Sequence, residues 1–296
     1  MTNRKHILIF VTLTFAITWG MLLIMTLCGI QYGSSESVLV LAGCMIVPAV
    51  CSILTRLITK EGFSQMLLRP KFKGHMRYYA MGAYLPFLLI LLGAAVYFLI
   101  FPSSFDITAS AMSSSLLASG VPAQQLQLVI ILQIVQGVVL GPFINLIFTM
   151  GEELGWRGYL LPRLVHDVGA GKAMLISGLI WGAWHAPMIA LGHNYGIDYP
   201  LAPWLGIVMM ILFCVSLGCI LSFVTLKAKS AWPAAMGHSM INAIAALPVY
   251  FCIAPNVLVG PSSTGIIGMS AIIGAAVICF IKGRKLTFAE TIKQGN

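Results

Sequence analysis

The stretch WLGIVMMILFCVSLGCILSFVTL, residues 204–226, runs for twenty-three positions without one charged side chain. A helix of that length rises about 34 Å, enough to cross a hydrocarbon core of about 30 Å. Seven more apolar stretches surround it, near 7–29, 38–55, 78–101, 125–150, 173–192, 231–252 and 264–281. Backbone groups in lipid must find their partners within the segment, so each stretch is read as a helix. The composition agrees. Of 296 residues, 59% are hydrophobic and 8% charged, against roughly 25% charged in soluble domains. A soluble globular domain, a disordered chain and a fibrous repeat are excluded. The sequence predicts an all-α polytopic transmembrane bundle of about eight spans, a single membrane domain over residues 1–296.

The charges then orient the bundle. Seventeen Lys and Arg face eight Asp and Glu, a net charge of +9. With eight spans every basic residue falls on one side. Arg4 and Lys5 precede the first span, and six cations from Arg56 to Arg77 separate the second and third. Arg157, Arg163 and Lys172 follow the fourth, Lys227 and Lys229 follow the sixth, and Lys282, Arg284, Lys285 and Lys293 form the tail. The opposite loops hold only Glu36, Asp106 and Asp198. The positive-inside rule makes the basic side cytoplasmic, with both termini there. The positive charge therefore reports on a bilayer rather than on nucleic acid. Seven cysteines without a CxxC pair read as free thiols.

Ionisable groups at membrane depth are costly in lipid, so they mark candidate sites. Three places hold them. In Gly151-Glu152-Glu153-Leu154-Gly155-Trp156-Arg157, Glu153 and Arg157 stand four apart in the favourable order for an ion pair. Glu152 projects about 100° away and is free to act as a base. In Trp181-Gly182-Ala183-Trp184-His185-Ala186-Pro187, His185 stands within the fifth span. In His238-Ser239-Met240-Ile241-Asn242, His238 and Asn242 share one helical face. Each element alone also reads as interfacial snorkelling or interhelical hydrogen bonding. Together they supply a carboxylate, two imidazoles and an amide, gathered in one cavity expected to open toward the cytoplasm. That set suits hydrolysis of an amide by an activated water, with His238 and Asn242 as oxyanion donors. A serine nucleophile lacks its G-x-S-x-G elbow, and the H-E-x-x-H zinc motif is absent.

At these residues the sequence resembles the CPBP intramembrane proteases. That family includes the type II CAAX prenyl endopeptidases and bacterial members linked to bacteriocin processing and self-immunity. Its E-E-x-x-x-R motif is matched by Glu152, Glu153 and Arg157. Its apolar residue followed four later by His is matched by Trp181 and His185. Its His followed four later by a polar residue is matched by His238 and Asn242. The resemblance covers roughly 125–250, a protease-like core. It implies a peptidase site facing the cytoplasmic side, with Glu152 and His185 on the water, His238 and Asn242 on the oxyanion, and Glu153 and Arg157 in support. Zinc held by Glu152, His185 and His238 stays open beside a metal-free glutamate mechanism. The implied partners are a membrane-associated peptide or protein substrate and the bilayer, in the plasma membrane. Two other readings are carried forward: a proton-coupled transporter, since buried Glu and His also form relays, and a non-catalytic immunity or scaffold protein. His193 and Asp198 read as outer loop residues.

Overall fold

A computed structural model describes residues 2–64 and 66–287. Of the tail, Lys282, Arg284 and Lys285 are among the described residues, and Lys293 lies outside them. The chain is all-helical: among the described residues the only β-pairing is an isolated bridge between Phe105 and Cys252. The helices are α1 (Asn3–Leu27), α2 (Ser35–Thr59), α3 (Met76–Ile100), α4 (Ser110–Ala118), α5 (Leu126–Ile144), α6 (Leu146–Gly155), α7 (Leu161–Trp184), α8 (Ala186–Ala190), α9 (Trp204–Ala228), α10 (Trp232–Ile244), α11 (Leu247–Tyr250) and α12 (Ser270–Gly283). Among the described residues five helical segments are long and apolar enough to cross a membrane: α1, α2, α3, Ala123–Ile144 and α9. The main hydrophobic core runs through the bundle, from Phe10 to Cys279, and a small second cluster joins Ala109, Met112 and Ile130. The seven cysteines are free, and Cys28 is exposed.

The helices depart from simple spans where the sequence breaks them. The fourth stretch is two helices, divided at Asn145 (φ −106°, ψ 14°). Pro142 inside α5 supplies no N–H and crowds the preceding turn. Ser239 on α10 stitches the break. Its hydroxyl donates to the Gly141 carbonyl at 2.7 Å and accepts the Asn145 N–H at 3.0 Å. A π-helical turn, Trp156–Leu160, joins α6 to α7. Gly169, in a conformation open to glycine (φ 77°, ψ 160°), kinks α7 so that only its later part follows the expected fifth span. The seventh and eighth stretches shorten to α10 and α12, of 13 and 14 residues. At about 1.5 Å per residue neither is long enough to cross alone. Irregular backbone of residues 251–269 lies between them, and there Ser263 and Thr264 are buried in protein. Non-helical chain is tolerated at such depth only when protein or a cavity covers it.

The two ends of the bundle are chemically distinct. At one end Asn3 donates to the Arg163 carbonyl, and Glu61 pairs with both Arg163 (2.7 Å) and His6 (2.9 Å). The Trp232 indole donates to the Leu68 carbonyl there, and the Ala231 N–H to that of Leu67. These contacts gather the N-terminus, the 60–75 loop, the start of α7 and the start of α10: the basic segments. At the other end Tyr32 meets His193 at 2.7 Å and the Tyr195 hydroxyl donates to the Thr264 carbonyl. Backbone bonds there join Asp106 to Phe251 and Ile253 to Ser104. The separation of charge read from the sequence is thus built into the packing.

Candidate active site

Two small-residue motifs bring the polar residues together. Gly151 and Gly155, four apart on α6, face α2. A methyl group at Gly151 would stand 2.8 Å from the Met45 carbonyl oxygen, and one at Gly155 would stand 2.4 Å from the Pro48 side chain. Gly178 and Gly182, four apart on α7, meet Val215 and Ile211 of α9 equally closely, at 2.7 and 2.6 Å. Both are G-x-x-x-G contacts, which let helix backbones approach where side chains would hold them apart. Glu152 follows the first glycine of one motif, and Trp181 precedes the second glycine of the other. Close approach of α6 to α2 and of α7 to α9 fixes both residues.

Glu152 is 2% exposed. Its Oε2 accepts from the Trp181 indole at 2.9 Å and from the Trp156 indole at 3.3 Å. These donors hold the carboxyl plane and leave Oε1 for the cavity. Glu153 faces elsewhere and is fully buried. Its Oε1 accepts from Arg157 Nη1 and from His238 Nδ1, each at 3.0 Å. The Arg157 guanidinium also lies 4.4 Å from the centre of the Trp181 ring, a cation–π contact. The neighbouring carboxylates therefore have separate surroundings, one beside indoles and the other within an ion-pair cluster.

The rings are oriented by their second nitrogens. His185 Nδ1 lies 2.8 Å from the Trp181 carbonyl oxygen, an acceptor, so this nitrogen carries the proton. Nε2 is then the lone-pair nitrogen of the neutral ring. Cys214 Sγ stands 3.8 Å from the same Nδ1. His238 gives its Nδ1–H to Glu153, and its ring packs edge-on to Trp181 at 5.2 Å. Glu152, His185, His238 and Asn242 all line one cavity of about 420 Å³. Glu153 and Arg157 stand behind it. The same cavity takes in Asn145, at the α5–α6 break, and His193 and Asn194. The sequence reading passed over Asn145 and left His193 as a loop residue. An amide beside Pro142 in an apolar run was the available sign for Asn145. For His193 there was none, because its position depends on the return of the chain after α8.

The loop residues that line the cavity come from the end of the bundle that is free of cations. They are His193, Asn194, Ser263 and Thr264, with Ala245 and Ala246 at the end of α10. Toward the basic end stand Trp156, Arg157, Tyr159 and Leu160, all fully buried. The run of α6 through the π turn into α7 fills that side with large side chains.

Zinc does not find a ligand set here. Among the described residues no three of His, Cys, Asp and Glu stand as a group able to hold a metal ion. A zinc centre draws its protein ligands to within about 2.0–2.3 Å of one point. The acid and rings face a common space without converging in that way.

Residues 127–244, from α5 through α10, match the family model described as type II CAAX prenyl endopeptidase Rce1-like. The chain is 32% identical over 102 residues to CAAX prenyl protease 2 of Methanococcus maripaludis, an alignment covering 34% of this chain and 37% of that protein. The chain thus matches little more than a third of its curated relative's length. All seven motif residues fall within the family match.

Proposed function

From the match of residues 127–244 to the Rce1-like family model and the likeness to a CAAX prenyl protease, we propose that this membrane protein is an intramembrane endopeptidase of the CPBP kind. It hydrolyses a peptide bond in a membrane-associated peptide or protein, using a water activated by Glu152 and His185. The observation that carries the reading is that Glu152, His185, His238 and Asn242, from three separated stretches of chain, line the same cavity. The core, roughly 125–250, is read as part of a single membrane domain in the plasma membrane.

The chemistry follows from the geometry. In this reading the nucleophile is a water held by Glu152 Oε1 and His185 Nε2. The carboxylate takes one proton as the oxygen bonds to the scissile carbonyl carbon, and the imidazole holds the other proton. The carbonyl oxygen becomes an oxyanion, met by the Asn242 amide and by His238 Nε2–H. His238 already gives its Nδ1–H to Glu153, so donation through Nε2 requires the imidazolium. Glu152 and Glu153 as carboxylates then balance Arg157 and His238 as cations. The C–N bond breaks as Glu152 passes its proton to the leaving amine. Glu153 and Arg157 hold His238 in place and touch no reacting atom.

The test is cleavage of membrane peptides by purified wild-type and Glu152→Gln protein, both shown to be folded. General-base catalysis is worth about 10²–10⁴-fold, and the variant is expected to lose activity on that scale. Undiminished cleavage would reject the assigned base.

A further inference from the structure

Between α2 and α3 the chain repeats one small pattern: Leu68-Arg69, Phe72-Lys73 and Met76-Arg77, an apolar residue followed by a cation, each pair four positions after the last. All of these side chains are exposed, and Leu68, Phe72 and Met76 keep 44, 54 and 59% of their surface. Lys71 adds a further cation within the repeat, and the stretch 68–77 holds no Asp or Glu. Among the described residues the charged groups of Arg69, Lys71 and Lys73 enter no ion pair and no hydrogen bond.

The backbone that carries this pattern is fastened to three helices. The Leu67 carbonyl accepts from the Ala231 N–H at 2.9 Å, and the Leu68 carbonyl from the Trp232 indole at 2.7 Å, both at the start of α10. The Lys71 N–H donates to the Tyr79 hydroxyl of α3 at 2.8 Å, and the Phe72 ring lies 4.9 Å from the Tyr79 ring. At the end of α2, Arg56 donates to the carbonyls of Gly62 and Ser64. The apolar side chains are therefore exposed on a fixed backbone, where they have no route into the core.

The stretch stands at the ends of two spanning helices, so the surface beyond it is the membrane–water interface. Apolar side chains there sink to the acyl boundary, while Lys and Arg keep their charge among the headgroups. Positive charge marks the cytoplasmic side, and the leaflet on that side carries the anionic lipids. From the repeat, its fixed backbone and its unpaired cations we propose that residues 68–77 form a docking strip for anionic phospholipid headgroups of that leaflet. A zwitterionic headgroup brings its own cation and no net charge to answer Arg69, Lys71 and Lys73. A soluble polyanion would answer the charge and leave Leu68, Phe72 and Met76 in water.

The test is native mass spectrometry of the full chain extracted in neutral detergent from vesicles of mixed phosphatidylglycerol and phosphatidylcholine. Wild-type protein is expected to retain phosphatidylglycerol in preference to phosphatidylcholine, and less strongly at high salt. The combined variant Arg69→Gln, Lys71→Gln, Lys73→Gln removes three cations that hold no other residue, so it is expected to melt as the wild type does in the same detergent. Each cation at an anionic surface is worth roughly fivefold in affinity, and the preference is expected to fall about tenfold or more. If the combined variant melts lower, Lys73→Gln alone decides, with a loss of roughly fivefold expected. Lys227→Gln with Lys229→Gln, at the same end of the bundle after α9, is the control and is expected to keep the wild-type preference. An equal loss in that control would assign the effect to the charge of the whole face and overturn the strip. A wild type without preference, or a combined variant that keeps it, would overturn the strip as well.

Discussion

Glu153 and Arg157 show how a fully buried ion pair constrains single residues. Neither has exposed surface, and they meet at 3.0 Å. Removing one partner strands the other charge, which in buried pairs is destabilising by about 3–5 kcal/mol. Glu153→Gln is therefore expected to lower the melting temperature in detergent sharply, and it also removes the acceptor that orients His238. Pairing it with Arg157→Met takes away the stranded charge. The double variant should recover most of the lost thermal stability and little of the peptidase activity. Equal melting temperatures for the single and double variants would contradict this account. The pair was legible from the i, i+4 spacing. The third partner, His238, was not, because it lies 85 positions further along the chain.

Among the elements, the close helix contacts set the position of the site. A methyl group at Gly182 would stand 2.6 Å from the Ile211 Cα, whereas one at Gly20 on α1 meets nothing within 4 Å. Gly182→Leu should push α7 from α9, carry Trp181 and His185 out of register, and reduce both cleavage and thermal stability. Gly20→Ala should leave both near wild type. The α5–α6 break makes a second case. Ser239 accepts the Asn145 N–H that the interrupted helix cannot use. Ser239→Ala leaves that buried donor without a partner, which is worth about 1–3 kcal/mol, and the loss should appear as a lowered melting temperature. From the sequence, Ser239 had no special context and the fourth stretch read as one span. Hydropathy registers apolar length. It does not register where a proline and an amide divide that length.

Across the whole molecule, Glu61 fastens the basic end. It joins α1 through His6 to α7 through Arg163. Partial burial pushes its carboxyl up, but the Arg163 hydrogen bond and charge outweigh burial, with help from Tyr159 and Arg56, and hold it below the ordinary carboxylate range. A carboxyl depressed in the folded state stabilises above its unfolded value and loses that contribution as pH falls through the folded value. Wild-type protein should thus melt higher than Glu61→Gln at pH 7, and the difference should close below about pH 4, near the unperturbed glutamate value. A difference that persists into acid would assign the effect to packing instead. The amino-acid sequence by itself determined the all-helical membrane fold, the two unlike ends and the three motifs, because apolar length, charge placement and helical spacing are local properties. Only the tertiary structure decided that the motifs share a cavity, that Trp156 and Trp181 hold Glu152, and which loops line that cavity. Those depend on how closely glycine-faced helices approach and on what fills the space behind them.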